Sequence, residues 1–164
     1  MNKKFLWAPW RMEYVTSPNK GKNIFLEKSQ SKDDRKNLIL YRDKRSFVLM
    51  NIYPYNNGHL MIAPYKKHND ITLLDADTLF EITQLIQKST VILKDKLKSD
   101  GFNIGLNMGK AAGAGIDEHL HFHIVPRWIG DTNFMPVSGQ TEVLVQGLHD
   151  TYDLLKEEFD LLDS

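Results

Sequence analysis

His119, His121 and His123 alternate with Leu120, Phe122 and Ile124. In an extended strand alternate side chains share a face, so this spacing sets three imidazoles about 6.5–7 Å apart per step and turns the apolar residues to the other side. Half of the chain's six histidines fall in this one stretch. Three readings of such a row are open. The imidazoles can be solvated on an exposed sheet face. They can share a zinc ion, since imidazole is a common ligand, but without cysteine the set would need histidine and carboxylate only, and Glu118 points to the opposite face. Or one of them can act as a nucleophile. Neutral imidazole attacks phosphorus well, its ordinary pKa of about 6.5 leaves it largely neutral at pH 7, and its neighbours can hydrogen-bond the attacking ring or phosphate oxygens.

Such a row needs a strand, a scaffold behind it and a loop in front. Residues 119–125 read as the strand. Upstream, the apolar runs 38–42 and 46–52 read as strands, and the turn at 53–58 (YPYNNG) leads into a third at 59–63, completing a β-hairpin. Leu79, Ile82, Ile86, Leu93 and Leu97 recur at helical spacing, so 75–98 reads as a long helix. Asp75 and Asp77 at its start and Lys94, Lys96 and Lys98 at its end complement its dipole, and Gly101 closes it. Residues 102–109 read as a strand with glycines, 109–115 (GKAAGAG) as a small-residue loop, and 126–136 as irregular chain. A last amphipathic helix over 139–162 would present Leu144, Leu148, Leu155, Phe159 and Leu162 on one side. Residues 27–37 are almost wholly polar and read as a surface loop. The order of elements predicts an α+β domain with a mostly antiparallel sheet. One domain is expected over 1–164: an aromatic arm at 5–15, a core at about 38–136, and the C-terminal helix.

HLHFHIV resembles the His-x-His-x-His-x-x signature of the histidine-triad (HIT) superfamily, in which x is apolar. FVLMNIYPYNNGHLMIAPYKKH at 47–68 resembles the family's strand–turn–strand with its upstream histidine, and NMGKAAGAGIDEHLHFHIVPRW at 107–128 resembles its active-site strand. LWAPWRMEYV near the start and GDTNF after the triad are more similar to the bacterial diadenosine-tetraphosphate phosphorylase and hydrolase branch than to the phosphoramidase branch. The resemblance covers most of residues 6–136. It implies a HIT-like fold whose antiparallel sheet packs against a long helix and extends across a homodimer.

It also implies two-step chemistry through a covalent nucleotidyl-histidine, with the central His121 as nucleophile. His119 and His123 flank it, and His59 matches the fourth family histidine. Asn51 matches a position that contacts ribose hydroxyls, and Asn107 one near the bridging or leaving phosphate. Each has a structural alternative, as a turn-entry and a strand-end residue respectively. Gly113, Ala114 and Gly115 would offer backbone N–H groups to phosphate, or simply make a tight turn. Trp128 either stacks near the phosphate entrance or belongs to the core. Trp7 and Trp10 read as core or interface, and His68 as structural or surface. Lys110 after Gly109 makes no phosphate-binding P-loop, because no Ser or Thr follows and the spacing fails. Two departures from the family matter. Gly115 stands where many relatives carry Gln or Ser, so phosphate there would rely on main chain or water, and the choice of water or phosphate as second nucleophile stays open. Asn23 and Leu26 stand where many relatives have a Cys-x-x-Cys zinc site, so that site is expected to be lost.

Bulk composition sets outer limits. The chain has 164 residues, and its 21 basic and 21 acidic side chains cancel. That balance argues against a general nucleic-acid binder but allows a small phosphorylated ligand. There is no cysteine, which excludes disulfides and thiolate metal sites. With no apolar run long enough for a signal peptide or a membrane span, a cytoplasmic protein without membrane partners is expected. The leading expectation is an enzyme that cleaves dinucleoside polyphosphates with water or phosphate. No cofactor is expected to be tightly bound, and Mg²⁺ would accompany the substrate phosphates. The competing readings are a nucleoside phosphoramidase of the same superfamily and a nucleotide-binding regulatory module with little turnover. An intact triad argues against the last, since a pure binder does not need a nucleophile.

Overall fold

The computed structural model describes residues 24–131 and 147–163. The aromatic arm at 5–15, Asn23 and the 139–146 part of the expected last helix lie outside the described residues. The described elements are α1 (Ile24–Gln30), α2 (Asp34–Asn37), β1 (Ile39–Arg42), β2 (Ser46–Met50), β3 (Leu60–Pro64), α3 (Ala76–Lys96), β4 (Gly101–Leu106), β5 (Phe122–Arg127) and α4 (Leu148–Asp160). The sheet has five strands in the order β1-β2-β3-β5-β4, with every neighbouring pair antiparallel. This is the expected α+β architecture.

Alternation along the central strands feeds two cores. Val48, Met50, Leu60, Ile62 and Ile124 point to one face, under the apolar sides of α3 and α4. Phe47, Leu49, Met61 and Ala63 point to the other, where Phe25 of α1 covers them. Strands buried on both sides read as continuous apolar runs, as β2 and β3 do. Helix α3 begins where Asp75 accepts a hydrogen bond from the Thr78 N–H at 2.8 Å. It ends at Leu97 rather than at Gly101, and Lys98 takes the left-handed turn with φ 49°.

Three sequence expectations shift. The polar stretch 27–37 is largely helical: α1 runs to Gln30, and Asp33 caps α2 by accepting from the Lys36 N–H at 3.0 Å. Arg42 holds both helices, donating to the carbonyls of Ser29 and Ser31 at 2.8 Å each and to the Asp34 carboxylate. Helices this short and polar show no apolar period, so they read as loop. Strand β4 stops at Leu106. Strand β5 starts at Phe122 and continues through Pro126 to Arg127, so only His123 of the triad lies in the paired strand. The alternation nevertheless runs on through the unpaired residues, because Leu120 and Ile124 enter the α3 face and Phe122 packs against it.

Candidate active site

The β5 register places His123 between Met61 of β3 and Gly105 of β4. Gly105 brings no side chain to this spot, and a Cβ built there meets nothing within 4 Å, so the imidazole has open room beside it. His119 and His121 approach along the preceding extended segment. Its Leu120 N–H is pinned to the carbonyl of His68 at 2.6 Å, which gives His68 a main-chain structural role. From the other side, His59 enters at the head of β3, straight after the 53–58 turn. All three of His59, His119 and His121 are buried.

Their hydrogen bonds assign the protons. A carbonyl oxygen can only accept. The Nδ1 of His121 lies 2.9 Å from the carbonyl of His119, so that nitrogen carries the proton and donates it. Nε2 of His121 therefore holds the lone pair. The Nε2 of His119 donates to the carbonyl of Pro64 at 2.8 Å. On the other side, the Tyr55 N–H donates to Nδ1 of His59 at 3.1 Å, so the proton of His59 sits on Nε2. That Nε2 donates to Nδ1 of His123 at 2.9 Å, which leaves the proton of His123 on its own Nε2. The site thus presents one imidazole with a lone pair, His121, and one with an N–H donor, His123. Their rings meet edge-on with centroids 4.8 Å apart.

Phe25 packs over the first pair with its ring tilted, its centroid 5.2 Å from that of His119 and 4.8 Å from that of His121. This apolar cover removes water. Burial pushes the pKa of His121 down from its ordinary 6.5, against a smaller upward pull from the hydrogen bond to His119. His119 is pushed down by burial as well, with the Pro64 carbonyl opposing. Both effects favour the neutral rings that nucleophilic chemistry requires.

His121 and His123 open onto a cleft of about 650 Å³, its open mouth included. Asn51, Asn107, Gly113 and Gly115 line it, so most of the residues expected to hold a nucleotide converge here. Asn51 is also tied into the scaffold, with its Oδ1 accepting the Tyr53 N–H at 2.9 Å and its N–H bonded to the His59 carbonyl. The glycine loop departs from expectation. The N–H of Gly113 donates to the Lys110 carbonyl at 3.0 Å and that of Ala114 to Gly109 at 3.4 Å, closing a tight 3₁₀ turn. Neither is offered to phosphate in this conformation, and Ala114 does not line the cleft. The Gly115 N–H has no partner among the described residues. Trp128 also stands away from the cleft. Its indole N–H donates to the Leu97 carbonyl at 3.1 Å, closing the C-terminus of α3. Lys110 is exposed, 3.6 Å from Asp117.

Sequence reasoning missed Ile24, Lys28, Ile52, Tyr53, Tyr55, Met61 and Ile116, which complete the cleft. Lys28 is the notable one. Burial lowers its pKa, and its Nζ donates to the Asn37 carbonyl at 3.0 Å. Read as loop, 27–37 gave no reason to face Lys28 inward; the Ile24/Lys28 spacing on a helix supplies it. As for metal, Leu26 offers no ligand atom, the chain contains no cysteine, and Nε2 of His119 is engaged with Pro64. The residues present do not fit a thiolate zinc centre.

Comparison with known proteins agrees with this geometry. The HIT domain model matches residues 32–128. The chain is 38% identical over 163 residues to the AP-4-A phosphorylase of Mycobacterium tuberculosis (strain CDC 1551 / Oshkosh), covering 94% of this chain and 83% of the relative. It is 31% identical over 94 residues to the bis(5'-adenosyl)-triphosphatase of Saccharomyces cerevisiae (strain YJM789), covering 55% of this chain and 44% of the relative. In fold it superposes on a Zn-bound histidine triad family protein from Mycobacterium smegmatis with a TM-score of 0.62, at 25% identity, over 77% of this chain and 86% of that one. The diadenosine triphosphate hydrolase of Plasmodium falciparum shares the fold with a TM-score of 0.62, at 22% identity, over 86% of this chain and 95% of that one. By its sequence, its sheet and its histidine row, the chain belongs to the HIT domain family.

Proposed function

We propose that this protein is a nucleotidyl enzyme that cleaves dinucleoside polyphosphates of the diadenosine-tetraphosphate type, with His121 as the nucleophile. The observation that carries the reading is the bond from Nδ1 of His121 to the His119 carbonyl, which leaves the Nε2 lone pair for phosphorus. In the first step Nε2 forms an N–P bond to the α-phosphate, and the bond from phosphorus to the bridging oxygen breaks. The departing nucleoside triphosphate carries that electron pair away. The Nε2–H of His123 donates to the oxygen on which charge develops, without giving up its proton. In the second step an oxygen of inorganic phosphate attacks phosphorus, the N–P bond breaks back to His121, and a nucleoside diphosphate leaves. Phosphate as the second nucleophile is supported by the likeness to the mycobacterial phosphorylase. Lys28 supplies positive charge to the cleft, and Mg²⁺ would arrive bound to the polyphosphate rather than to the protein.

The same reading includes a homodimer in the cytoplasm. Strand β4 is an edge strand whose Asn103, Ile104 and Gly105 are exposed. Helix α3 exposes a stripe without charge from Phe80 through Thr83, Gln84 and Gln87 to Val91. An open sheet edge and an uncharged exposed helix stripe each suit pairing with a second copy.

The test is turnover of diadenosine tetraphosphate with and without phosphate, beside an adenosine phosphoramidate. ADP formed only in the presence of phosphate supports phosphorolysis, and AMP formed without it supports hydrolysis. An acid-labile nucleotidyl adduct mapped to His121 by mass spectrometry supports the intermediate. An adduct on another residue, or turnover of the phosphoramidate alone, overturns the reading.

A further inference from the structure

The proton on Nε2 of His123 is decided two hydrogen bonds away, in the turn that precedes β3. The Tyr55 N–H at 3.1 Å from Nδ1 of His59 is the donor that forces the tautomer. Asn51 Nδ2 lies farther from the same nitrogen, at 3.4 Å. If that N–H turned away, His59 could carry its proton on Nδ1 and accept from Nδ1 of His123. Nε2 of His123 would then face an anionic substrate with a lone pair instead of a proton. The donors that face Nδ1 of His59, the Tyr55 backbone N–H nearest, therefore set the sign of the interaction.

Asn56 holds that N–H in place. Its carbonyl accepts the His59 N–H at 3.1 Å, closing the turn. Its side-chain Nδ2 donates to the Pro126 carbonyl at 3.1 Å and to Oδ2 of Asp131 at 2.9 Å. Two acceptors on one nitrogen fix the amide orientation. Asp131 is itself clamped: Arg127 donates to both of its oxygens, at 2.6 Å and 2.8 Å, and the Trp128 N–H donates to Oδ2 at 3.1 Å. Pro126 and Arg127 belong to β5, the strand that carries His123. Asn56 thus cross-ties the turn that dictates the tautomer to the strand that expresses it.

We infer that Asn56, anchored by Asp131, is a positioning residue that fixes the tautomer of the His59–His123 pair and so keeps an N–H donor on the leaving-group side. The inference rests on the functional reading above for its catalytic consequence, but not for the tautomer itself.

The experiment uses the full chain, uniformly ¹⁵N-labelled. Nitrogen-detected imidazole spectra of the unmodified protein are expected to show the proton on Nε2 of both His59 and His123. In Asn56→Ala a substantial share moves to Nδ1. The second readout is kcat on nucleoside 5′-aryl phosphates of rising phenol basicity. Loss of an N–H donor at developing negative charge should grow from within about twofold for p-nitrophenol to about tenfold or more for phenol. Asn57→Ala is the control in the same turn. Its Oδ1 accepts from Thr151 rather than tying the turn to Asp131, and it should keep the tautomers and the leaving-group dependence. If Asn56→Ala does not fold, Asp131→Asn, of nearly the same shape but a weaker acceptor, carries the test. Unchanged ring nitrogens in these variants, or a loss equal for all phenols, overturn the inference. A tautomer change in a protein that turns over no dinucleoside polyphosphate would support the inference and overturn the functional reading.

Discussion

The four histidines form two pairs that are built differently. His119 and His121 lie under Phe25, and each donates to a main-chain carbonyl. His59 and His123 bond to each other, and their protons are set chiefly by a backbone N–H from a turn. The first pair rests on fixed acceptors and ends in a lone pair. The second rests on a chain of donors and ends in an N–H. Identical side chains thus acquire opposite proton positions from main-chain atoms, and a lone pair and an N–H donor stand side by side with no change of residue type.

The largest expected effect breaks the first pair at its functional atom. His121→Ala removes the lone pair, and turnover of diadenosine tetraphosphate should fall on the order of 10⁴-fold or more. Nucleotide binding should persist, because Asn51, Asn107 and the apolar wall of the cleft remain. A titration of a non-cleavable analogue checks binding and steady-state kinetics check the rate. A variant that keeps near-normal turnover would remove His121 from the chemistry.

Phe25→Ala attacks the same pair through its cover. Phe25 is fully buried, and truncating a buried Phe costs about 3–5 kcal/mol. Water reaching His119 and His121 should also relieve the burial that depresses their pKa values, moving the acid limb of the rate profile upward toward 6.5. Chemical denaturation measures the first effect and kcat/KM against pH the second. A loss of stability with an unmoved acid limb would separate the packing of Phe25 from the pKa.

Gly58→Ala acts on the second pair instead. Gly58 has φ +71°, and a Cβ there would lie 2.3 Å from Leu97 Cδ1 and 3.2 Å from Leu93 Cδ2. The left-handed backbone and the overpacking together should cost about 2–4 kcal/mol. Because Gly58 adjoins His59, the shift should perturb the ¹⁵N signals of His59 and His123 more than those of His119 and His121. Equal perturbation of all four would mean that the pairs are not mechanically separate.

How much of this the sequence discloses follows the same division. The alternation in HLHFHIV places the imidazoles on one face because apolar residues must go to the other, and Leu120, Phe122 and Ile124 do so. The period of Leu79, Ile82, Ile86 and Leu93 marks α3 for the same reason, since burial imposes periodicity. Proton positions are not legible. They depend on the carbonyls of His119 and Pro64, which every residue type supplies alike, and on the N–H of Tyr55, which every type but proline supplies. Helices α1 and α2 escape because their ends are held by Arg42 and Asp33 rather than by an apolar stripe. Trp128 and Ala114 escape because the direction of an indole or an amide in a turn depends on where α3 and the 3₁₀ turn end, to within a residue.

The smallest effect tests the electrostatic side of the comparison. His121 is depressed below 6.5 by burial, so in the folded protein it stays neutral at pH values where the unfolded chain has begun to protonate. Between the folded and unfolded pKa the unfolded state binds more protons, so stability rises with pH across that window. Read downward, stability is full above 6.5, falls as pH drops through the window, and levels off once the folded ring is protonated too. Each unit of depression corresponds to about 1.4 kcal/mol. His119 contributes with the same sign. The rate obeys the same proton: kcat/KM should hold at and somewhat below pH 6.5, because the lone pair on Nε2 is lost only when the buried ring charges. Denaturant midpoints at pH 7.5 and 5.5 for the unmodified chain and for His121→Gln, which cannot titrate, isolate the contribution of this one ring. The unmodified chain should lose more stability over that interval than the variant. If the two lose the same amount, or if the acid limb lies at or above 6.5, then the cover of Phe25 does not set the charge state of His121. The difference between the pairs would then rest on hydrogen bonds alone.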